Sequence, residues 1–261
     1  MRNNRLRAIL NEGKSAYGTM IQELTSTVVP IILASAGYDF AFIDMEHGPF
    51  SLESATELIR TLRLTGLTPL VRVPDGQYHL IARVLDAGAE GIMVPRVETR
   101  AQVEYIVSCA KYPPLGKRGA AITKGHNDFE KADLYEFTRT MNRENLIILQ
   151  IERKEALEDI EGLLSVPGVD GAVMGPKDLA LSLGRPEDFE DPVTQAAIQS
   201  VVTACLKLGK FAGLHTLNIK ALLEWQGKGM RFLTWSSDID LLRFATQTGI
   251  DQLRSGSILP R

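Results

Sequence analysis

Five polar residues, His47, Arg72, Gln150, Glu152 and Asp178, stand in or just beyond short apolar runs, the placement that gathers side chains at one edge of a sheet. Gln150 and Glu152 are two residues apart at the end of LIILQIE, so the alternation of a strand turns both to the same face. Asp178 follows the turn Gly175-Pro176-Lys177. Its carboxylate either caps a helix start or gives a hard cation a second oxygen ligand beside Glu152. Two carboxylates without a His or Cys cluster suit Mg2+ or Mn2+, with Co2+ a third candidate, better than a structural zinc.

Arg72 lies inside the otherwise apolar TPLVRV, where an unpaired guanidinium is expensive to bury. It needs an anion, either Asp44 in a salt bridge or an oxyanion or carboxylate ligand held in its fork. His47, in EHG, does no more by itself than cap a turn; beside the other four residues it adds a group that exchanges protons near neutral pH. Asp44 and Glu46 flank it as further carboxylates.

Positioning these residues takes parallel strands. Eight apolar runs read as strands, over Tyr17–Ile21, Phe40–Asp44, Pro69–Val73, Gly91–Pro95, Leu146–Ile151, Gly171–Met174, Phe211–Leu214 and Arg231–Trp235, each leading towards a helical pattern. Ser51 marks a helix start before Leu52–Leu64 and Gly66 marks its end. The similar turns AGYDF, AGAEG and PGVDG carry the chain from a helix into the next strand. No G-x-G-x-x-G follows the first strand, so a closed (β/α)8 TIM barrel, one domain over residues 1–261, is preferred to an open doubly wound sheet. Tyr112–Asn145, with Pro113-Pro114 and Gly116 to Gly125, reads as a long polar connection after the fourth strand.

Composition narrows the partners. The 261 residues are 44% hydrophobic and 23% charged, ordinary for a folded domain with a sizeable core. A net charge of -3 supplies no basic stripe for nucleic acid. No apolar run is long enough to span a bilayer, and Met1 to Lys14 is polar, so a cytoplasmic protein without a membrane partner is expected. Cys109 and Cys205, in apolar helical stretches without C-x-x-C spacing, read as buried free thiols.

The motifs FAFIDMEHGPF, PLVRVP, LDAGAEGIMVPRVET, YPPLGKRGAA, LQIERKEALEDIEGLLSVPGVDGAVMGPKDLALSLG and KFAGLHT cover most of the chain from about Gly18 to Asp240. Together they resemble the HpcH/HpaI-type class II aldolases, metal-dependent enzymes of the pyruvate-type barrel that cleave 4-hydroxy-2-oxo acids into pyruvate and an aldehyde. The resemblance implies Glu152 and Asp178 as metal ligands, Gln150 beside them, Arg72 against developing enolate charge, and His47 as a base working through a water. It implies Gly175, Pro176, Lys177 and Leu214 as substrate contacts and Asp44 and Glu46 as their support. Asp86, in LDAG, matches an acid that pairs with the histidine. It falls near the far end of a helix, so it would act across a subunit interface, in keeping with hexamers built as trimers of domain-swapped dimers. Lys177, the stretch Ala121–Asp128 and Trp235 depart from the family pattern and are expected to shape the aldehyde pocket.

Three alternatives use the same residues. One is a Schiff-base aldolase with Lys177 or Lys124 as its amine, although neither lies within a strand end. A second keeps the enolate chemistry for oxaloacetate decarboxylation or for lyase action on an acyl-CoA ester. The third is a keto-acid binder without turnover, which would have no use for a base.

Overall fold

The eight strands are β1 (Ala16–Ile21), β2 (Phe40–Asp44), β3 (Thr68–Arg72), β4 (Gly91–Val94), β5 (Leu146–Ile151), β6 (Gly171–Met174), β7 (Phe211–Thr216) and β8 (Phe232–Ser237). The computed structural model describes residues 3–185 and 190–256. Every strand pairs in parallel with its neighbour in sequence, and β8 pairs with β1, closing a (β/α)8 barrel. Strands β7 and β8 run two residues past the expected Leu214 and Trp235. The helix after β2, Leu52–Thr65, begins where Ser51 accepts a hydrogen bond from the Ser54 amide and ends at Gly66 in the left-handed region.

Alternation divides each strand between two apolar layers. Ile43, Val71, Ile92, Ile147 and Leu214 face the surrounding helices. Met20, Phe42, Leu70, Met93, Ile148 and Val173 fill the barrel. Near the base Phe232 meets Phe40 at 4.3 Å and Phe211 at 5.7 Å between ring centroids. Gly18 faces Phe40 and Gly213 faces Phe232, and a β-carbon at either glycine would occupy the space of the ring. Large rings opposite glycines make the interior a packed floor with its open end at the strand carboxyl termini.

The opposite end is sealed by the helix Arg5–Asn11. Asn4 caps it through the Arg7 amide and reaches the carbonyls of Glu90 and Glu144. Arg5 pairs with Asp39 at 3.2 Å and Arg7 with Asp170 at 2.7 Å. Asp39 and Asp170 also accept from the amides of Tyr17 and Ile147. The similar turns AGYDF, AGAEG and PGVDG therefore all help to seat the N-terminal helix.

The stretch 112–145 differs from the expected long connection. It follows the helix Arg100–Ala110 and contains a 3-10 turn, Gly125–Asn127, and a helix, Leu134–Glu144. The reason is a small core of its own, formed by Tyr112, Phe137 and Met141. Lys111 ties it to the start of β5 by donating to the carbonyls of Asn142 and Asn145. Cys109 and Cys205 are buried free thiols, and burial pushes the Cys205 thiol up to about 12. No helix among the described residues is long and apolar enough to cross a membrane.

Because Arg7 joins Asp170 to the carbonyls of Glu144 and Asn145, Arg7→Met should lower unfolding stability by about 2 kcal/mol, seen as a lower urea midpoint with an unchanged slope.

Candidate active site

Asp44 and Arg72 end β2 and β3 as register partners, so their side chains enter the barrel mouth side by side. Asp44 is fully buried. Arg72 grips it with two bonds, Nε to Oδ1 at 2.8 Å and Nη2 to Oδ2 at 2.6 Å. Burial works against the Arg72 charge, but Asp44 outweighs it, and the guanidinium proton is held more tightly than usual. Asp44 Oδ1 also accepts from the amides of Glu46 and His47, folding Asp44 to Gly48 into a tight turn. Gly48 is required there because a β-carbon would press on the carbonyls of Asp44 and Gln22. With the other edge of Arg72 occupied, Nη1 turns inward, 3.3 Å from Gln150 Oε1 and 3.4 Å from Glu46 Oε2.

Across the mouth, Gln150 and the buried Glu152 are hydrogen-bonded to each other through Nε2 and Oε2. Glu152 Oε1 accepts from the Arg96 amide at 2.8 Å. Arg96 just beyond β4 has a φ of +54, a conformation that costs a non-glycine residue energy, and it aims that amide at the carboxylate. Its guanidinium pairs with Glu46 at 3.0 Å. The Glu46 side chain is 6% exposed, its Oε2 has no hydrogen bond beyond the 3.4 Å contact with Arg72 Nη1, and burial followed by the charge of Glu152 raises its pKa against the pull of Arg72. Gly175 packs on Glu152, and Asp178, in the first turn of the helix Pro176–Ser182, is exposed and has no ion pair among the described residues. Arg72, Gln150, His47 and Gly175 to Asp178 line one cavity of about 580 Å3.

The donor chemistry fits a hard divalent cation. Glu152 receives only neutral donors, and the three carboxylates Asp44, Glu46 and Glu152 share the two guanidiniums of Arg72 and Arg96. Among the described residues no three His, Cys, Asp or Glu side chains converge as a closed metal set. Two carboxylates that leave further positions to water or ligand suit Mg2+ or Mn2+.

Residues 24–245 match the HpcH/HpaI aldolase/citrate lyase family. The chain belongs to this family. A hydroxypyruvate/pyruvate aldolase of Roseobacter denitrificans is 32% identical over 240 residues, covering 92% of this chain and 93% of the relative. A 2-keto-3-deoxy-L-rhamnonate aldolase of Salmonella gallinarum is 31% identical over 248 residues, 94% and 91% of the two chains. The crystal structure of the HpcH/HpaI aldolase from Desulfitobacterium hafniense DCB-2 superposes with a TM-score of 0.92 at 33% identity, over 99% of this chain and 98% of that one. The protein is accordingly an enzyme, a carbon–carbon lyase of the aldolase type.

Not every residue expected in the site of this HpcH/HpaI aldolase reaches the cavity. Leu214 is buried against the helices, and the next residue, His215, lines the mouth. The neighbouring inward positions on β7 are Phe211 and Gly213, so alternation turns His215, the residue after the expected Leu214, into the cavity. Trp235 is likewise on the helix side, donating to the Leu217 carbonyl, and does not line this cavity. Asp86 lies at the end of the helix Tyr78–Ala87, paired with Arg118 at 2.5 Å, while its carbonyl meets His126 Nδ1 at 3.0 Å. It therefore groups with the 121–128 stretch, and Lys124 with it, rather than with His47 of the same chain. Arg96 was not legible as a site residue, since its part depends on a backbone angle.

A β-carbon on Gly175 would lie 2.7 Å from Glu152 Oε2, so Gly175→Ala should cut aldol turnover at least tenfold, with the far-ultraviolet circular dichroism unchanged.

Proposed function

We infer that the enzyme catalyses reversible aldol cleavage of a 4-hydroxy-2-oxo acid into pyruvate and an aldehyde, with Mg2+ or Mn2+ held by Glu152 and Asp178. The observation that carries this reading is Glu152, met only by the neutral donors of the Arg96 amide and Gln150, set across from the inward edge of Arg72. The cation, when bound, supplies Lewis acidity to the 2-oxo group. His47, exposed at the rim, accepts the proton of the C4 hydroxyl as the C3–C4 bond breaks. The bond's electron pair moves towards the 2-oxo oxygen, where Arg72 Nη1 meets the new negative charge; reprotonation at C3 completes pyruvate. Because Asp44 already orients Arg72, little reorganisation accompanies the charge shift. Gln150, bonded to both Arg72 and Glu152, fixes the spacing of the two halves.

Treatment with a chelator should abolish pyruvate release from 4-hydroxy-2-oxo acids, and added Mg2+, Mn2+ or Co2+ should restore it. Asp178→Ala should lose at least about a thousandfold in kcat while remaining folded. Full activity in chelator, or a lysine trapped by borohydride with pyruvate, would overturn the assignment in favour of a Schiff base.

The enzyme acts, in this reading, as a homo-oligomer, and the helix Asp238–Ser255 supports it. Of its 18 residues only Asp238 is buried, whereas Leu242, Phe244 and Leu253 are exposed. Phe244 and Leu241 border an apolar groove with Leu217, Ile219 and Trp235. Such a helix gains its stability from packing that a second copy would provide. A neighbouring subunit would also bring a histidine to the Asp86 carboxylate, which within its own chain pairs with Arg118. Sedimentation equilibrium should give an oligomer mass, hexameric on the family pattern, and Phe244→Glu with Leu253→Glu should dissociate it.

A further inference from the structure

The cavity has two unlike halves. Arg72, Gln150 and Gly175 to Asp178 form the half that takes the oxo acid in the reading above. The end of β7 and the loop beyond it form the other, through His215, Thr216, Leu217 and Asn218, with Ile239 and Asp240 closing the side.

His215 is the most deeply set polar group of that second half. Its ring meets Phe42 edge-on at 5.7 Å, and its Nδ1 is buried without a hydrogen-bond partner. On the adjacent strand its register partner is Thr234, fully buried, whose Oγ1 also has no partner. His215 lines the cavity with Thr234 behind it, so the wall of this half holds unused hydrogen-bonding capacity, a cost that a ligand group drawn to His215 reduces. Asp240 does not supply the match, because Ser237 and Arg243 already engage its carboxylate.

The charge state decides what kind of group fits. Burial, helped by the positive charges of Arg72 and Lys177, brings the His215 imidazole down to about 4, so it is neutral under ordinary conditions. A neutral imidazole offers one donor and one acceptor, which pair with a hydroxyl; it brings no charge of its own to a carboxylate, and Arg72 and Lys177 belong to the half that takes the oxo acid. We propose that His215, backed by Thr234, is the specificity-determining residue of this site and selects a leaving aldehyde that carries a hydroxyl group on its chain. This rests on the pyruvate-aldolase reading.

The test is aldol addition of pyruvate, by metal-supplemented enzyme, to matched aldehydes: glycolaldehyde against acetaldehyde, glyceraldehyde against propionaldehyde, and glyoxylate as a carboxylated comparison. The hydroxylated member of each pair should be preferred in kcat/KM by roughly tenfold or more, because the unhydroxylated one leaves the buried polar atoms unmatched. His215→Leu should bring both ratios to within about threefold of unity, His215→Asn should keep part of the preference, and Thr234→Val, close in volume, should lower it without unfolding. Hydroxyl preference that survives His215→Leu, absence of preference in the parent enzyme, or preference for glyoxylate would each overturn the assignment of His215 while leaving the aldolase reading standing. No addition to any aldehyde would overturn both.

Discussion

The buried pair of Asp44 and Arg72 is the constraint on which the rest of the mouth depends. Neither charge could occupy the top of a barrel without the other, because each would face an uncompensated desolvation cost. Parallel pairing of β2 with β3 makes them register partners, and the two-bond fork then orients the guanidinium as a rigid unit. Asp44 spends its remaining capacity on the amides of Glu46 and His47. One carboxylate thus sets both the direction of the arginine and the turn that carries the histidine.

Around this pair the mouth is deliberately unbalanced. Asp44, Glu46 and Glu152 share the guanidiniums of Arg72 and Arg96, and Glu152 is held by an amide of strained backbone and by a glutamine, neither of which carries charge. A structure stabilised only for its own sake would neutralise or solvate such groups. In the function proposed above, this shortage of positive charge is what would receive a cation and the charge that develops during bond cleavage. The packed floor below, with aromatic rings set against glycines, and the basal helix keep this polar cluster at the single open end of the barrel.

Much of this was legible in the residue order because strand periodicity is local. Eight apolar runs with turns between them are enough for the barrel, and polar residues at their ends mark the rim, so Asp44, Arg72, Gln150 and Glu152 could be assigned to one mouth before any contact was known. Motif similarity added a functional meaning to those positions and named Leu214, whose neighbour His215 is the one that lines the cavity. Leu214 and His215 differ by a half-turn of alternation, and which of them faces inward is settled by the pairing of β7 with β6 and β8.

Other features belong to the tertiary structure alone. Arg96 enters the site through a left-handed backbone angle and an amide, neither of which its side-chain type announces. Asp86 is a site candidate by motif, yet the helix that carries it runs to the other end of the barrel, so distance through space separates what the motif groups together. The order of residues is enough for which side of a strand is apolar and where the strand ends, because those depend on neighbours two and four positions away. Which polar atoms end up buried without partners depends on strands from across the chain meeting in one ring, and only the closed barrel decides it.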